Sequence, residues 1–335
     1  MAVNLKPLGE QVMVITGASS GIGLSTARMA AKEGVRLVLA ARSEDALRQL
    51  VQEIEGAGGQ AAFVVADVSR EEDVARIAAI AQERFGGFDT WVNNAGIGMY
   101  GRLEELNVED MRRLYDVNFW GLVYGSREAL KTLKARGGAL INVGSVVGDR
   151  SLPLQGLYAS SKHAVKGFTD ALRMELEDEG APVSVTLVKP GPIDTPFPLN
   201  ARNYLDTKPQ HVPPVYAPET VARAILHAAA HPMRDVFVGG GGRGIAAFGN
   251  LAPRATDKAM EAGVIPGTQS GEPPLPPGSD SLYLPTGKLA ERGDYPGMVQ
   301  KVSVYTEGAM QSRKIGVAVV AAGLVVALLS AGRRR

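Results

Sequence analysis

From residue 11 to about residue 238, the sequence alternates between short apolar runs and longer segments in which apolar residues recur with helical spacing. The runs are apolar at nearly every position, which is typical of strands buried on both faces of a parallel sheet. This alternation predicts a doubly wound α/β domain in which helices cover both faces of the sheet. The predicted strands are Val12–Thr16, Arg36–Ala40, Ala61–Ala66, Thr90–Asn93, Ala139–Val143, Ser184–Val188 and Asp235–Val238. The predicted helices are Gly23–Glu33, Glu44–Glu55, Glu71–Phe85, Val108–Ala135, Tyr158–Glu179 and Pro218–Ala230.

The composition excludes several classes of protein. The 335 residues include 36 Lys and Arg against 35 Asp and Glu, so the chain lacks the positive charge with which nucleic-acid binders attract phosphate. It has no cysteine, which excludes disulfides, thiolate metal sites and a cysteine nucleophile. Its four histidines show no spacing typical of a metal site. We therefore expect neither a nucleic-acid partner nor a metal ion.

The pattern changes after residue 238. A helix is predicted near Ile245–Met260, and Pro266–Gly297 follows, in which 13 of 32 residues are Pro or Gly, as in a linker. Residues 315–332 carry no charge and have basic flanks, and as a helix of about 27 Å they nearly match the thickness of a bilayer core. We expect them to form a membrane anchor; a helix buried between subunits is the alternative. The N-terminus lacks the apolar core of a secretory signal, which favours a cytoplasmic catalytic domain, either anchored or soluble.

A glycine-rich turn follows the first predicted strand. The segment Thr16-Gly17-Ala18-Ser19-Ser20-Gly21-Ile22-Gly23 leads from that strand into a helix. Glycines let the backbone turn tightly and approach a pyrophosphate, whose charge the helix N-terminus stabilises. An ordinary strand–helix turn is the alternative, because Gly239–Gly244 also has the spacing G-x-G-x-x-G. That second match follows the last strand rather than the first, so we interpret it as a flexible turn.

A tyrosine and a lysine stand four residues apart at Tyr158 and Lys162. This spacing puts both side chains on one face of a helix. A positive charge beside a phenol favours the phenolate, so Lys162 is expected to lower the pKa of Tyr158 and make it a general acid and base. Tyr204 and Lys208 have the same spacing, but Pro209 follows them in a stretch without helical period.

Further residues join these motifs in a fixed order. The features are the glycine motif at 16–23, Asp67-Val68, Asn93-Asn94-Ala95-Gly96, Asn118, Ser145, Tyr158, Lys162 and Pro190-Gly191. In this order and spacing they resemble the short-chain dehydrogenase/reductase family, over about residues 8–240. The resemblance implies a Rossmann-like sheet of seven strands, a nicotinamide cofactor, and an oxidoreductase that interconverts a carbonyl and an alcohol.

The resemblance implies a role for each of four catalytic residues. Tyr158 would give a proton to the substrate carbonyl oxygen as hydride arrives, and Lys162 would lower the tyrosine pKa and hold the nicotinamide ribose. Ser145 would hydrogen-bond the carbonyl and stabilise the developing oxyanion. Asn118 would hold a water that links Lys162 to solvent. For Ser145 and Asn118 taken alone, a helix N-cap and a buried amide are the alternatives.

The resemblance also implies a set of cofactor-binding residues, among which Asp67 and Val68 would contact the adenine. The full set is Gly17, Ser19, Ser20, Gly21, Ile22, Gly23, Arg42, Asp67, Val68, Asn94, Ala95, Gly96, Tyr158, Lys162, Pro190, Gly191, Ile193 and Thr195.

The residues after the second predicted strand indicate a cofactor preference. An NAD site needs a carboxylate about 20 residues past the glycine loop, where it binds the adenosine 2′-hydroxyl. Here Ala41 stands at that position, and Arg42 can pair with a 2′-phosphate. This favours NADP(H) over NAD(H); the alternative for Arg42 is a solvated residue at the start of a helix.

The segments expected to frame the substrate pocket, Val146–Leu157 and Ile193–Tyr216, contain several apolar side chains and no cluster of Lys or Arg. We therefore expect a small lipophilic ketone or aldehyde, or the corresponding alcohol, as substrate, with reduction favoured. A 3-oxoacyl thioester reductase of fatty-acid-type metabolism is the alternative enzyme. A non-catalytic dinucleotide-binding scaffold or sensor is the alternative of another class. The resemblance further implies a homo-oligomer, either a dimer or a tetramer.

These interpretations divide the chain into four segments. Residues 8–240 form the catalytic domain, and residues 241–265 a C-terminal helical segment. Residues 266–312 form a Pro/Gly-rich linker, and residues 313–335 the anchor helix with its basic flanks.

Overall fold

The computed structural model describes residues 3–311, except for the side chains of residues 242, 243, 247 and 250. Its centre is a sheet of seven parallel strands, which confirms the predicted α/β architecture. The strands, β1 to β7, are Val12–Thr16, Arg36–Ala41, Ala61–Val65, Thr90–Asn93, Gly138–Val143, Val183–Pro190 and Asp235–Val238. Their order across the sheet is β3-β2-β1-β4-β5-β6-β7. The order reverses between β1 and β4, where such sheets form a crevice at the carboxyl ends of the strands.

Ten complete α-helices connect or follow these strands within residues 3–311, and residues 304–311 are helical as well. Numbered α1 to α10, they are Gly21–Lys32, Glu44–Gly56, Glu71–Phe85, Val108–Tyr115, Gly121–Arg136, Gly156–Asp178, Phe197–Asn200, Pro218–Ala230, Gly240–Leu251 and Pro253–Thr268. Single 3-10 turns are formed by Leu8–Glu10, Leu103–Glu105 and Val146–Gly148. Two-residue strands outside the main sheet are Met99–Tyr100, Arg202–Asn203, Val215–Tyr216 and Val299–Gln300.

Alternate residues of the central strands point to opposite faces of the sheet, and each face has its own core. In β1, Met13 and Ile15 pack in the cluster that includes α1 and α8, whereas Val12 and Val14 pack in the cluster that includes α3 and α5. Because both faces are covered, nearly every strand position is apolar. Polar chemistry is therefore concentrated at the carboxyl edge of the sheet.

The helix predicted over Val108–Ala135 is interrupted. A π-helical turn, Asp116–Trp120, separates α4 from α5. Its Asn118 is turned toward the loop after β4, where its amide exchanges hydrogen bonds of 2.8 and 2.9 Å with the backbone of Ile97. The extra residue in the turn leaves the apolar spacing helical on both sides, so the sequence pattern did not indicate it.

The helix predicted near Ile245–Met260 is in fact two helices. They separate at Ala252, where Pro253 begins α10 because proline has no backbone N–H to continue the preceding helix. The interpretation of Gly239–Gly244 as a flexible turn is wrong, because α9 begins at Gly240.

Residues 269–298, most of the predicted linker, contain no helix and lie along the catalytic domain rather than extending from it. Leu282 in this segment is 0% exposed. The predicted anchor, with its apolar residues 315–332, lies outside the described residues. In the described range 3–311, no helix is long and apolar enough to cross a bilayer.

Candidate active site

A cavity of about 380 Å³ runs along the carboxyl edge of the sheet. It is lined by all the predicted site residues except Gly23 and Asn118, which stand directly behind the lining. The fold thus brings together residues that the sequence spreads from position 17 to position 195.

The glycine loop between β1 and α1 is too tight for other residues. Gly17 has a φ of +67°, and a Cβ on it would lie 2.8 Å from Ala95 Cα. A Cβ on Gly23 would lie 2.2 Å from the carbonyl oxygen of Gly17. The Asn94 amide donates to the carbonyls of Thr16 and Gly17, at 2.9 and 3.2 Å, and holds the loop against the end of β4. A loop of this form at a helix N-terminus fits the pyrophosphate of a dinucleotide.

Three of the four predicted catalytic residues meet at one end of the cavity. Tyr158 and Lys162 lie on the first turns of α6, and the Lys162 ammonium is 5.8 Å from the centre of the Tyr158 ring. The side chain of Ser145, just after β5, shares a hydrogen bond with the Tyr158 phenol. Ser145 also caps the turn that follows it, accepting from Val147 N at 3.3 Å, so the alternative role as an N-cap is present as well. Lys162 Nζ donates to the carbonyl of Val143 at 2.9 Å, which fixes the lysine near the strand end.

Burial shifts the pKa values of Tyr158 and Lys162. It raises the pKa of Tyr158 to about 12, a shift that the hydrogen bond with Ser145 opposes. Burial also lowers the pKa of Lys162 to about 8. Loss of hydration dominates both residues, so the pKa of Tyr158 in this structure is raised overall rather than lowered, and the role of Lys162 in stabilising the phenolate stays a prediction. At neutral pH the phenol keeps its proton and is placed to donate it.

Asn118 is 1% exposed, and its hydrogen bonds are those of a buried amide. In addition to the two bonds with Ile97, its Nδ2 donates to Ser161 Oγ at 3.3 Å. A Cβ on Gly96 would lie 3.4 Å from Asn118 Oδ1 and 3.9 Å from Lys162 Nζ. Asn118 thus stands close to Lys162, and the water relay stays a prediction.

The end of the cavity predicted to hold the adenosine contains contacts that the sequence did not indicate. The terminal nitrogens of Arg42 donate to the backbone carbonyls of residues 281–283. Asp67 forms an ion pair with Arg113, whose Nε donates to the carbonyl of Leu282 at 3.1 Å. The carbonyls that Arg42 contacts lie about 240 residues further along the chain, so no local spacing rule could indicate these contacts.

The opposite end of the cavity is largely apolar. The ring of Phe197 lies 5.2 Å from that of Tyr158, and the cation lining this end, Arg150, is paired with Asp257. The sequence missed His211, whose Nε2 is buried with no hydrogen-bond partner among the described residues. Burial lowers the His211 pKa to about 4, so the ring is neutral. The apolar lining residues are Val147, Leu152, Phe197, Val212, Pro213, Pro214, Ile245 and Val264.

Comparison with known proteins agrees with this geometry. A family model described as short chain dehydrogenase matches residues 11–204, more than half of the chain. The chain belongs to the short-chain dehydrogenase family. It is therefore an oxidoreductase whose fold binds a nicotinamide dinucleotide.

Two relatives cover different shares of this short-chain dehydrogenase. The uncharacterized oxidoreductase YxnA of Bacillus subtilis (strain 168) is 50% identical over 327 residues, 96% of this chain and 91% of YxnA. That similarity therefore extends past the family model into the C-terminal part. A 3beta-hydroxysteroid dehydrogenase of Mediterraneibacter gnavus is 38% identical over 200 residues, 59% of this chain and 71% of that protein.

Two solved structures share the fold. An alcohol dehydrogenase from the archaeon Thermococcus sibiricus, complexed with 5-hydroxy-NADP, is 31% identical with a TM-score of 0.60, covering 68% of this chain and 95% of its own. A short-chain dehydrogenase/reductase from Burkholderia phymatum, in complex with NAD, is 27% identical with a TM-score of 0.65, covering 75% and 95%. The two structures differ in the dinucleotide they hold.

The glycine loop generates a first prediction. Gly23→Ala should weaken NADPH binding at least about tenfold, because the added Cβ forces the loop away from the pyrophosphate position. Fluorescence titration measures the dissociation constant. Gly167→Ala is the matched control, since a Cβ on Gly167, in α6, meets nothing within 4 Å. Unchanged NADPH binding in Gly23→Ala would contradict the assignment of this loop.

Proposed function

We propose that this protein is an NADP(H)-dependent reductase of a lipophilic ketone or aldehyde, with Tyr158 as proton donor. The observation that carries the proposal is the position of Tyr158, a half-buried side chain that lines the cavity beside Lys162 and Ser145. Its phenol shares a hydrogen bond with Ser145 beside Lys162, in a cavity that continues to the glycine loop.

The chain's own residues account for the proton and the charge in this reaction. When bound, the dinucleotide supplies hydride to the carbonyl carbon. The hydroxyls of Tyr158 and Ser145 hydrogen-bond the carbonyl oxygen and stabilise its growing negative charge. That oxygen takes the Tyr158 proton, and the nearby Lys162 ammonium stabilises the phenolate left behind. Alcohol oxidation follows the reverse path and needs the phenolate first.

The preference for NADP(H) is supported by the end of β2. Ala41 offers no carboxylate for a 2′-hydroxyl, and Arg42 places a positive charge at the cavity wall. Measuring turnover with NADPH and with NADH tests this preference directly.

The substrate proposal is supported by the apolar end of the cavity. Arg150 is neutralised by Asp257, so this end offers an acidic carrier or phosphate no unpaired cation among its described residues. The similarity to a 3beta-hydroxysteroid dehydrogenase makes a hydroxysteroid, or its ketone, a specific candidate. A substrate panel should therefore include steroid ketones, simple aryl ketones and a 3-oxoacyl thioester. Preferred turnover of the thioester would favour the alternative enzyme, and NADPH binding without turnover of any substrate would favour the scaffold or sensor.

The second prediction concerns the proton donor. Tyr158→Phe should lower kcat/KM for reduction by about 10²- to 10⁴-fold, because it removes the general acid. NADPH binding should change little. Tyr204→Phe is the control, since Tyr204 has the same spacing to a lysine, yet its hydroxyl donates to Asp110 away from the catalytic group. A Tyr158→Phe enzyme that retains turnover would refute the proposed role.

The third prediction is a pH profile. Lys162 loses its charge as pH rises through about 8, so reduction should slow above that pH while Tyr158 stays protonated to about 12. Alcohol oxidation should instead speed up with pH, because it needs the phenolate. In Lys162→Arg, whose guanidinium keeps its charge, the remaining reduction should no longer fall near pH 8. A wild-type profile that is flat across this range would contradict the role of Lys162.

The fourth prediction concerns the C-terminal segment. We propose that residues 315–332 anchor the protein to a membrane, since they carry no charge and have basic flanks. Full-length protein should sediment with membranes, and a chain ending at Arg313 should remain in the supernatant with its reductase activity. Full-length protein in the supernatant would refute the anchor, and light scattering would then test the alternative, a helix that packs in the proposed dimer or tetramer.

A further inference from the structure

Residues 280–294, here called the strap, cross the open side of the cavity. At one end, Ser281 N donates to the carbonyl of Asn200 at 2.8 Å. At the other end, Gly21 N, on the first turn of α1, donates to the carbonyl of Ala290 at 2.9 Å. The strap is thus fixed on both sides of the dinucleotide site.

Ion pairs strengthen the second attachment. Glu291 pairs with Arg28 of α1 at 2.6 Å, and Arg292 pairs with Glu219 of α8 at 2.7 Å. Gly293 N donates to Asp194 at 3.2 Å. The end of the strap therefore contacts three separate parts of the catalytic domain.

The first part of the strap is buried at the adenosine end. Leu282 is 0% exposed, and its carbonyl accepts from both Arg42 and Arg113. The hydroxyl of Tyr283 donates to Asp110 at 2.8 Å. Arg42, predicted to bind a 2′-phosphate, is therefore also a strap contact.

The middle of the strap is more exposed and lines the cavity with Pro285, Thr286, Gly287 and Lys288. In the described part of the chain, the ammonium of Lys288 forms no ion pair. Among the described residues, the lining has one acidic side chain, Asp67, and that carboxylate is already paired with Arg113. Lys288 therefore adds positive charge where no neighbouring lining acid neutralises it.

The position of Lys288 along the strap brings it close to the glycine loop. Lys288 is two residues from Ala290, so their Cα atoms are within about 7 Å. The Ala290 carbonyl is itself 2.9 Å from Gly21 N. A flexible lysine side chain at this place can reach an anion bound at the start of α1.

We propose that the strap is the outer wall of the dinucleotide site, and that the Lys288 ammonium binds a phosphate of the bound dinucleotide. The proposal rests on the proposed function, because it needs a dinucleotide in the cavity. The strap brings the Lys288 ammonium to the site, while its Ala290 carbonyl occupies the hydrogen-bond donor Gly21 N.

Titration of the full-length protein with NADPH and with NADH tests whether Lys288 binds a phosphate of the dinucleotide. Lys288→Ala should weaken binding of NADPH at least about tenfold, as expected for loss of a charge-assisted contact to phosphate. A loss shared by NADH places the contact at the pyrophosphate, and a loss confined to NADPH places it at the 2′-phosphate. Lys301→Ala, an exposed lysine outside the cavity lining, is the matched control. Unchanged or tighter binding in Lys288→Ala overturns the proposal.

Limited trypsin digestion tests whether the strap forms the outer wall of the dinucleotide site. NADPH should slow cleavage after Lys288 at least about threefold if the strap closes over the dinucleotide, while cleavage after Lys301 stays the same. Faster cleavage after Lys288 would mean that the dinucleotide displaces the strap, and it would overturn the proposal. Failure of the proposed function is distinct, because wild-type protein would then neither bind NADPH nor reduce any ketone.

Discussion

A chain of hydrogen-bonded side chains inside the sheet fixes where α6, the helix that carries Tyr158 and Lys162, lies. Asn93 at the end of β4 donates to Asn142 of β5 at 2.9 Å, and Asn142 donates to Thr169 of α6 at 3.0 Å. With both faces of the sheet covered, these polar groups have no access to water, and leaving one unpaired would be costly. The hydrogen bonds that satisfy these groups hold α6 near the carboxyl ends of β4 and β5. The positions of Tyr158 and Lys162, at the start of that helix, follow from this arrangement.

The same exclusion of water determines the protonation of the site. Among the described residues, Lys162 donates to a strand carbonyl and has no carboxylate partner, and Tyr158 shares its hydrogen bond with a neutral hydroxyl, so loss of hydration dominates both groups. Burial therefore moves the two pKa values in opposite directions, one toward a protonated phenol and the other toward a lysine that titrates near neutral pH. That pair suits the proposed reduction, because the proton is already on the proposed donor.

At the proposed adenosine end, backbone carbonyls of the strap accept hydrogen bonds from the Arg42 guanidinium. The strap belongs to the cavity wall, although its composition is that of a linker. Its attachments to α1, α8 and the loop after β6 connect the C-terminal third of the protein to the glycine loop. Through the strap, residues that follow the last strand of the sheet line the cavity proposed to bind the dinucleotide.

The sequence by itself determined the seven strands to within two residues, the glycine loop, and the spacing that brings Tyr158 and Lys162 onto one helical turn. These features depend on near neighbours and on regular periods, which a sequence displays directly. Tertiary structure alone decided the π-helical turn at Asn118, the raised pKa of Tyr158 and the path of the strap. Arg42 and Leu282 are 240 residues apart, and a Pro/Gly-rich segment has no period from which their contact could be inferred. Their contact follows from burial and from the hydrogen bonds that each backbone carbonyl requires, and both are fixed only when the whole chain has folded.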